Sequence, residues 1–224
     1  MRRALAGLAL SLALAGCQQP ASAGEAVRLA PAASRIADEP KGLKTALFAG
    51  GCYWGVEGVF SHVKGVKSAV SGFHGGAAST ADYDRIGRGD TGHAETVRVV
   101  YDPAVVRYDQ LLRIFFSVVA DPTTLNRQGP DAGTQYRSAL VPLSDEQRAV
   151  GAAYLAQLGA SKVWKAPIVT RIEPYKRFHA GPAAHQDFMA VNPRHPYILR
   201  WDVAKVEALQ RMFPSHYQPR FTKG

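Results

Sequence analysis

The sequence predicts a mixed α/β (α+β) domain with a ferredoxin-like core, built as a two-layer sandwich from split β-α-β units. Apolar and amphipathic segments follow each other in the order strand, helix, strand, strand, helix, strand, which is the order of that fold. The 224 residues, of which 46% are hydrophobic and 20% charged, suit one domain with an ordinary core. The C-terminal part is rich in proline, histidine and aromatic residues, and we expect it to wrap the core irregularly.

The first half of the core begins with an apolar strand over residues 45–49, which the glycines at 50–51 end. A helix follows, because apolar residues recur there at helical spacing. These residues are Val56, Val59, Phe60 and Val63. Residues 66–73 predict the second strand, and the glycine-rich polar residues 74–93 predict a loop. The β-branched residues 96–101 predict the third strand.

The second half of the core starts with another amphipathic helix. Its apolar face comprises Tyr108, Leu111, Leu112, Phe115 and Phe116. Residues 138–141 predict the fourth strand, and Ser144, with a glutamine three residues later, predicts a capped helix that runs to about residue 158. A further strand over 167–172 and a helix near 202–213 would complete the single catalytic domain, residues 45–213. We expect residues 214–224 to form a C-terminal tail.

The N-terminus resembles a bacterial lipoprotein signal. Residues 1–17 combine two arginines, an apolar stretch too short to span a bilayer, and Cys17. Cleavage would leave Cys17 as the lipidated first residue. There are two alternatives: a plain secretory signal that is cleaved after residues 21–23, or a cytosolic protein without a signal. Residues 18–44 are rich in alanine and proline without an apolar period, which predicts a flexible tether between anchor and domain.

This signal predicts a lipoprotein of the bacterial cell envelope that faces the periplasm. Gln18, which follows Cys17, is not the acidic residue that retains lipoproteins at the inner membrane, so the outer membrane is favoured. The net charge of +9 is compatible with an acidic membrane surface. Because no basic face alternates with aromatic residues, we expect no nucleic-acid partner. We also expect a monomer.

Cys52 is the residue whose position most suggests chemistry. It is the only cysteine in the predicted domain, so it has no partner there for a structural disulfide. Its place at a predicted helix N-terminus indicates a nucleophile, because helix N–H groups and the macrodipole lower a thiol pKa. A small buried hydrophobe is the alternative. The neighbouring aromatic residues Tyr53 and Trp54 could likewise do no more than cover the core.

Several ordered motifs resemble the type A family of peptide methionine sulfoxide reductases. They are Gly51-Cys52-Tyr53-Trp54-Gly55, Thr91-Gly92-His93-Ala94-Glu95, Asn126-Arg127-Gln128-Gly129, Asp131, Gly133-Thr134-Gln135-Tyr136-Arg137-Ser138 and His185-Gln186-Asp187. The resemblance covers about residues 47–198. Together, at these separations, the motifs are specific.

The resemblance implies reduction of the S epimer of methionine sulfoxide, free or in proteins, and four catalytic residues. Cys52 would attack the sulfoxide sulfur, and Glu95 would give the oxygen a proton, a step that contributes typically ~10²–10⁴-fold. Burial would have to raise the pKa of Glu95 for that task. The hydroxyls of Tyr83 and Tyr136 would bind the sulfoxide oxygen.

The same resemblance implies a substrate-binding group. Tyr53 and Trp54 would form the wall around the ε-methyl group. Asp131 would orient the substrate main chain, and His185 would line the entrance. The family usually has Phe where this chain has Tyr53, and residues 179–184 depart from the family pattern before His185.

Many relatives carry resolving cysteines near the C-terminus, whereas this chain has no cysteine after Cys52. Reduction would leave Cys52 as a sulfenic acid, and lipidation would block Cys17. The resemblance therefore implies an external reductant, either a thioredoxin-like protein or a small thiol. We expect no cofactor and no metal site, since cysteine partners and a helical histidine pair are lacking.

Two other functions compete with this one. An exported Cys–His hydrolase, such as a cell-wall peptidase, would pair Cys52 with His93 or His185. A lipoprotein without enzymatic activity could bind methionine-rich partners. The hydrolase does not explain Glu95, Tyr83 and Tyr136 as a set.

Overall fold

A computed structural model describes residues 27–224 of the chain. The predicted signal sequence, Cys17 and the first part of the predicted tether lie outside the described residues. Within residues 27–224, no helix is long and apolar enough to cross a bilayer.

The centre of the fold is a six-stranded mixed sheet. Its strands in chain order are β1 (Lys44–Gly50), β2 (Val66–His74), β3 (Ala94–Tyr101), β6 (Ser138–Val141), β7 (Arg171–Ile172) and β8 (His179–Ala180), and a separate hairpin contains β4 (Arg127–Gln128) and β5 (Asp131–Ala132). The order across the sheet is β7-β6-β1-β3-β2-β8. The four inner strands pair antiparallel, and their order is that of a ferredoxin-like core. The predicted fold class is confirmed.

Six α-helices are described. They are α1 (Tyr53–Ser61), α2 (Tyr83–Ile86), α3 (Tyr108–Ile114), α4 (Asp145–Ala160), α5 (Phe188–Val191) and α6 (Val203–Met212). A π-helical segment, Phe115–Val119, extends α3, and another, Ile198–Asp202, precedes α6. Three 3₁₀ turns cover Ala78–Thr80, Thr134–Tyr136 and Ala183–His185. The predicted loop over residues 74–93 therefore contains two short helical pieces.

Phe48 of β1 connects the sheet to the helices on the side that carries α1 and α3. Its ring lies 4.7 Å from that of Phe60 and 5.2 Å from that of Phe115, measured between centroids. All three side chains are fully buried, and each such burial stabilises the fold by roughly 1.5–3 kcal/mol. The apolar helical periodicity predicted from the sequence corresponds to this packed layer.

Helix α4 begins as predicted, but its capping box is only half formed. The Oγ atom of Ser144 accepts a hydrogen bond from the backbone N–H of Gln147 at 3.1 Å. The Gln147 side chain accepts from the N–H of Leu143 and donates to the carbonyl of Thr45. The glutamine thereby ties α4 to β1 instead of closing the box.

Residues 27–43, which we call the N-terminal strap, differ from the flexible tether that the sequence predicted. The backbone N–H of Ala30 donates to Ser117 Oγ at 2.9 Å, and that of Ala37 donates to Asp109 Oδ1 at 3.1 Å. Glu39 Oε2 accepts from the N–H of Tyr108 at 3.0 Å. The strap has no apolar period because backbone groups and small alanines make these contacts.

Candidate active site

Cys52 lies at the turn from β1 into α1 and is the N-cap residue of α1. Gly51 makes this turn possible because its φ is +90° and a Cβ atom there would lie 2.6 Å from Gln128 Cβ. Only glycine adopts such a backbone without strain. The turn places the Cys52 thiol at the helix N-terminus, as the sequence predicted.

The electrostatic surroundings of Cys52 are not those that the sequence predicted. Burial raises the pKa of the thiol well above its ordinary value, and the nearby Glu95, Asp202 and Asp131 raise it further. The backbone N–H of Trp54 acts in the opposite direction. The expectation of a lowered pKa is therefore wrong for the free enzyme, because desolvation and three carboxyl groups outweigh the helix N-terminus.

Glu95 is a buried acid beside the thiol. Its side chain, on β3, is 4% exposed, and its Oε2 atom accepts a hydrogen bond from the backbone N–H of Tyr53 at 2.9 Å. Burial raises the pKa of Glu95 to about 8, with a smaller contribution from Asp131. The carboxyl therefore keeps its proton at neutral pH and can donate it.

Tyr83 and Tyr136 belong to the same electrostatic cluster. Tyr83 begins α2 and Tyr136 ends a 3₁₀ turn. Burial raises the pKa of each tyrosine, and both Glu95 and Cys52 raise it further. Both hydroxyls thus remain protonated and available as donors. The structure brings together the four residues that the resemblance implied as catalytic.

The aromatic side chains beside Cys52 form a stacked group. The ring of Trp54 lies flat on Phe188, with centroids 3.7 Å apart and planes 6° apart, and its edge contacts include His195. Tyr53 is 1% exposed, whereas Trp54 is partly exposed. Trp54 therefore offers more surface to a substrate than Tyr53 does.

His185 joins this group from a distant part of the sequence. Its Nδ1 atom lies 2.8 Å from the Tyr53 hydroxyl oxygen, and its ring centroid lies 4.3 Å from that of Tyr83. Phe188 and His195 were not predicted as part of the site. Only their tertiary contact with Trp54 reveals them.

Asp131 lies at the site as expected, and three further residues accompany it. Asp131 Oδ2 accepts a short hydrogen bond from the hydroxyl of Tyr197. Asp202 is fully buried, and its Oδ1 atom lies 3.3 Å from Lys205 Nζ. Sequence analysis missed Tyr197, Asp202 and Lys205, and the only available signal was an acid and a base three residues apart near the predicted last helix.

Cys52 also lines a small cavity of about 50 Å³ that is open to solvent. Asp131 and Tyr197 form part of its wall. The apolar part of the lining includes Phe116, Trp164 and Trp201, and the strap adds Val27 and Arg28. Glu95, Tyr83 and Tyr136 are not among the residues that line this cavity.

The two histidines of the competing hydrolase are engaged elsewhere. His93 Nδ1 accepts from the N–H of Gly76 at 3.2 Å, and His93 Nε2 donates to the carbonyl of Ala77 at 3.0 Å. Nδ1 of His185 is hydrogen-bonded to Tyr53. Neither imidazole is hydrogen-bonded to Cys52 in the part of the chain that the structure describes, and a Cys–His hydrolase is not supported.

The site places the thiol of Cys52 beside a protonated carboxyl group and two tyrosine hydroxyls, within a mixed α/β fold. This arrangement is that of a thiol-dependent enzyme in which a carboxylic acid supplies the proton. Comparison with known proteins narrows this class. The sequence model of the family described as peptide methionine sulfoxide reductase matches residues 44–217. The chain belongs to this family.

Individual relatives agree with that assignment. A Mesorhizobium japonicum protein named peptide methionine sulfoxide reductase MsrA 2 is 51% identical over 179 residues, 80% of this chain and 92% of the relative. A Synechocystis protein of the same name is 44% identical over 178 residues, 80% of this chain and 83% of the relative. The solved methionine sulfoxide reductase A of Corynebacterium diphtheriae superposes with a TM-score of 0.59 at 31% identity, covering 75% of this chain and 83% of its own.

Proposed function

We propose that this chain reduces methionine-S-sulfoxide to methionine by attack of Cys52 on the sulfoxide sulfur. Thiol-dependent reduction of methionine sulfoxide is the activity of its family. One observation carries the assignment of roles. The buried Glu95 accepts a hydrogen bond from the backbone N–H of the residue after Cys52, and it lies close enough to raise the pKa values of Cys52, Tyr83 and Tyr136.

In the proposed first half-reaction the sulfur of Cys52 forms a bond to the sulfoxide sulfur while Glu95 protonates the sulfoxide oxygen. The oxygen then moves from the substrate sulfur to the Cys52 sulfur as the substrate S–O bond and the new S–S bond break, so methionine leaves and Cys52 becomes a sulfenic acid. The proton of the Cys52 thiol replaces the one that Glu95 gave up. The substrate is reduced by two electrons and Cys52 is oxidised by two. Tyr83 and Tyr136 donate hydrogen bonds to the oxygen as negative charge develops on it.

The raised pKa of Cys52 has a consequence for the resting enzyme in this scheme. Burial is the largest cause of the increase, and it keeps the thiol protonated at neutral pH. The thiolate is the reactive form of cysteine, so a protonated thiol is protected from unproductive oxidation.

Two variants test the assignment with separate S and R epimers of a methionine sulfoxide substrate. Cys52→Ser should abolish reduction of the S epimer, and Glu95→Gln should lower kcat by roughly 10²–10⁴-fold. The wild-type enzyme should leave the R epimer unreduced. Full turnover by Cys52→Ser, or equal rates for the two epimers, would refute the proposal.

The second half-reaction needs an external thiol in our proposal. Cys52 is the one free cysteine in the described residues. A first thiol would displace the hydroxyl oxygen of the sulfenic acid as water and form a mixed disulfide with Cys52. A second thiol would then release Cys52 and leave with the first as a disulfide. The donor is a thioredoxin-like protein or a small thiol, and the cavity beside Cys52 offers it an approach.

Intact-mass measurement tests this second step. Reduced enzyme with excess sulfoxide and no thiol should release one methionine per chain and gain one oxygen atom. A loss of two hydrogens, as in an internal disulfide, would contradict it. Cys52→Ser serves as the control that gains nothing.

We also propose that Cys17 carries a lipid that anchors the enzyme to a membrane of the cell envelope, with the outer membrane favoured. The support is the signal-like sequence of residues 1–17. Because the strap packs on the domain, only residues 18–26 would separate anchor from body, at most about 32 Å when extended. Radiolabelled palmitate should label the protein, and Cys17→Ala should not be labelled. Absence of label from the wild type would refute the anchor.

A further inference from the structure

The side chain of Tyr53 has a single hydrogen-bond partner. Its ring is almost fully buried and packs on Phe73 of β2, with centroids 5.7 Å apart. Its hydroxyl oxygen lies 2.8 Å from Nδ1 of His185, 132 positions further along the chain. A buried hydroxyl without a hydrogen-bond partner destabilises the folded state. The hydrogen bond to His185 removes this cost for the Tyr53 hydroxyl.

The direction of this hydrogen bond follows from the charge states of the two groups. Burial raises the pKa of the Tyr53 hydroxyl far above its ordinary range, and Glu95 raises it further. Burial also lowers the pKa of His185. At neutral pH a protonated phenol therefore meets a neutral imidazole. Tyr53 donates, Nδ1 accepts, and the imidazole proton resides on Nε2.

The imidazole is held against the side chains that contact the substrate in our proposed function. The centroid of the imidazole ring lies 4.3 Å from that of the Tyr83 ring, and the two ring planes are 60° apart. The imidazole centroid also lies 5.4 Å from that of Trp54. Within the described residues Nδ1 is bonded only to Tyr53, and Nε2 makes no hydrogen bond. Within the described residues, the Tyr53 hydroxyl is therefore the one hydrogen-bond partner that selects a tautomer of His185.

We propose that Tyr53 is a positioning residue for methionine sulfoxide reduction and that it acts through His185. Its hydroxyl holds the imidazole as the Nε2–H tautomer with its edge on Tyr83. The ring then presents one fixed donor to the bound substrate and keeps the Tyr83 hydroxyl in place. This inference rests on the proposed function of the site, but it concerns a contact that exists in the free enzyme.

Tyr53→Phe tests the proposal because it removes one oxygen atom and keeps the ring that fills the core. Long-range ¹H–¹⁵N NMR of the free enzyme should show one Nε2–H tautomer for His185 in the wild type and a mixture in Tyr53→Phe. The kcat/KM for the S-sulfoxide of a methionine peptide should fall about three- to tenfold, which is the range for one neutral hydrogen bond. An unchanged tautomer with unchanged kcat/KM would overturn the proposal.

A second pair of variants separates positioning from general loosening of the fold. In a His185→Ala background, adding Tyr53→Phe should lower kcat/KM no further, because the residue through which Tyr53 acts is absent. Tyr154→Phe is the matched control, since this buried tyrosine donates its hydroxyl to the carbonyl of Pro31 at 2.7 Å, on the strap. It should leave kcat/KM unchanged.

The outcomes also distinguish this inference from the proposed function. If the wild type reduces the S-sulfoxide and Tyr53→Phe lowers kcat/KM equally with and without His185, Tyr53 does not act through His185 and the inference fails alone. If the wild type does not reduce the sulfoxide, the function fails, and the tautomer measured in the free enzyme still decides the contact.

Discussion

At the scale of single residues, the main feature of the site is that burial keeps its acidic groups protonated. Cys52 and Glu95 are both protonated at neutral pH because burial raises both pKa values and Asp131 raises them further. A reaction that consumes a proton at the substrate oxygen benefits from an acid that does not ionise in the resting state. Retaining a neutral carboxyl inside the protein also affects stability.

Glu95→Gln should stabilise the folded protein increasingly between pH 4.5 and about 8. Burial raises the pKa of Glu95 from 4.5 to about 8, so over this range the unfolded chain ionises and the folded chain does not. Wild-type stability therefore falls as pH rises through the window, by on the order of a few kcal/mol. The glutamine lacks this dependence and can still accept from the N–H of Tyr53.

The measurement is urea unfolding of both proteins at intervals from pH 4 to pH 9. Burial also raises the pKa of Glu57 to about 8, but Glu57 is present in both proteins and cancels in the difference. A difference in unfolding free energy that does not change with pH would show that Glu95 ionises normally in the folded state.

At the scale of elements, the turn between β1 and α1 aims the thiol, and its geometry depends on glycine. Position 51 requires glycine for two reasons: its backbone is left-handed, and a Cβ atom there would collide with Gln128. Gln128 is itself held by its side chain, whose Oε1 accepts from the N–H of Asp121 at 2.9 Å. The turn therefore has little room to adjust.

Gly51→Ala should destabilise the protein more than Gly42→Ala does. The two glycines have similar φ angles, +90° and +97°, but a Cβ atom at Gly42 would meet nothing within 4 Å. Gly42→Ala measures the backbone strain alone, about 1 kcal/mol. Gly51→Ala adds the contact with Gln128 and displaces Cys52, so kcat should fall as well. Equal losses of unfolding free energy, with activity intact in both, would contradict this account.

The strap is the second element with a clear energetic role. Glu39 accepts hydrogen bonds from both the hydroxyl of Tyr101 and the backbone N–H of Tyr108. These groups lie on β3 and at the start of α3, so one carboxylate joins strap, sheet and helix. The strap also supplies Val27 and Arg28 to the cavity beside Cys52.

Glu39→Ala should lower the unfolding free energy by about 1–3 kcal/mol, because it leaves two buried donors without their acceptor. The exposed neighbour Asp38 provides the control, since its side chain makes no hydrogen bond within the described residues. Asp38→Ala should change stability by less than about 0.5 kcal/mol. Thermal unfolding of both variants checks the prediction, and equal stability of the two would show that the strap contributes nothing through Glu39.

At the scale of the whole molecule, one thiol serves two reactants in the proposed mechanism. Cys52 lies beside the carboxyl and tyrosine cluster, and it also lines the cavity that includes Trp164 and Trp201. In the proposed mechanism the sulfoxide and the reducing thiol use Cys52 in turn. The chain therefore stores the oxidising equivalent on a single sulfur between the two half-reactions.

Steady-state kinetics with varied sulfoxide and varied thiol should give parallel double-reciprocal lines, the pattern of a ping-pong mechanism. The physical reason is that methionine leaves before the thiol reacts. Intersecting lines would indicate that both reactants must be bound together, contrary to the proposed order.

The fold and much of the site were predictable because the signals were local. The periodicity of β1, α1 and β3 predicts their place in the core, and the glycines before Cys52 predict the turn. The direction of the Cys52 pKa shift was not predictable. It depends on Asp131 and Asp202, which the chain brings to the thiol only through tertiary folding.

The sequence by itself determined the order of the secondary structure elements, the lone thiol in the domain and the residue types of the proposed catalytic group, because spacing and composition are properties of the chain. The tertiary structure alone decided which residues touch. In the tertiary structure the strap, which the sequence predicted to be a flexible tether, packs on the domain. Tyr53 contacts His185, and carboxyl groups lie near Cys52. Burial and contact arise between residues far apart in the chain, and so do the pKa shifts on which the proposed chemistry depends.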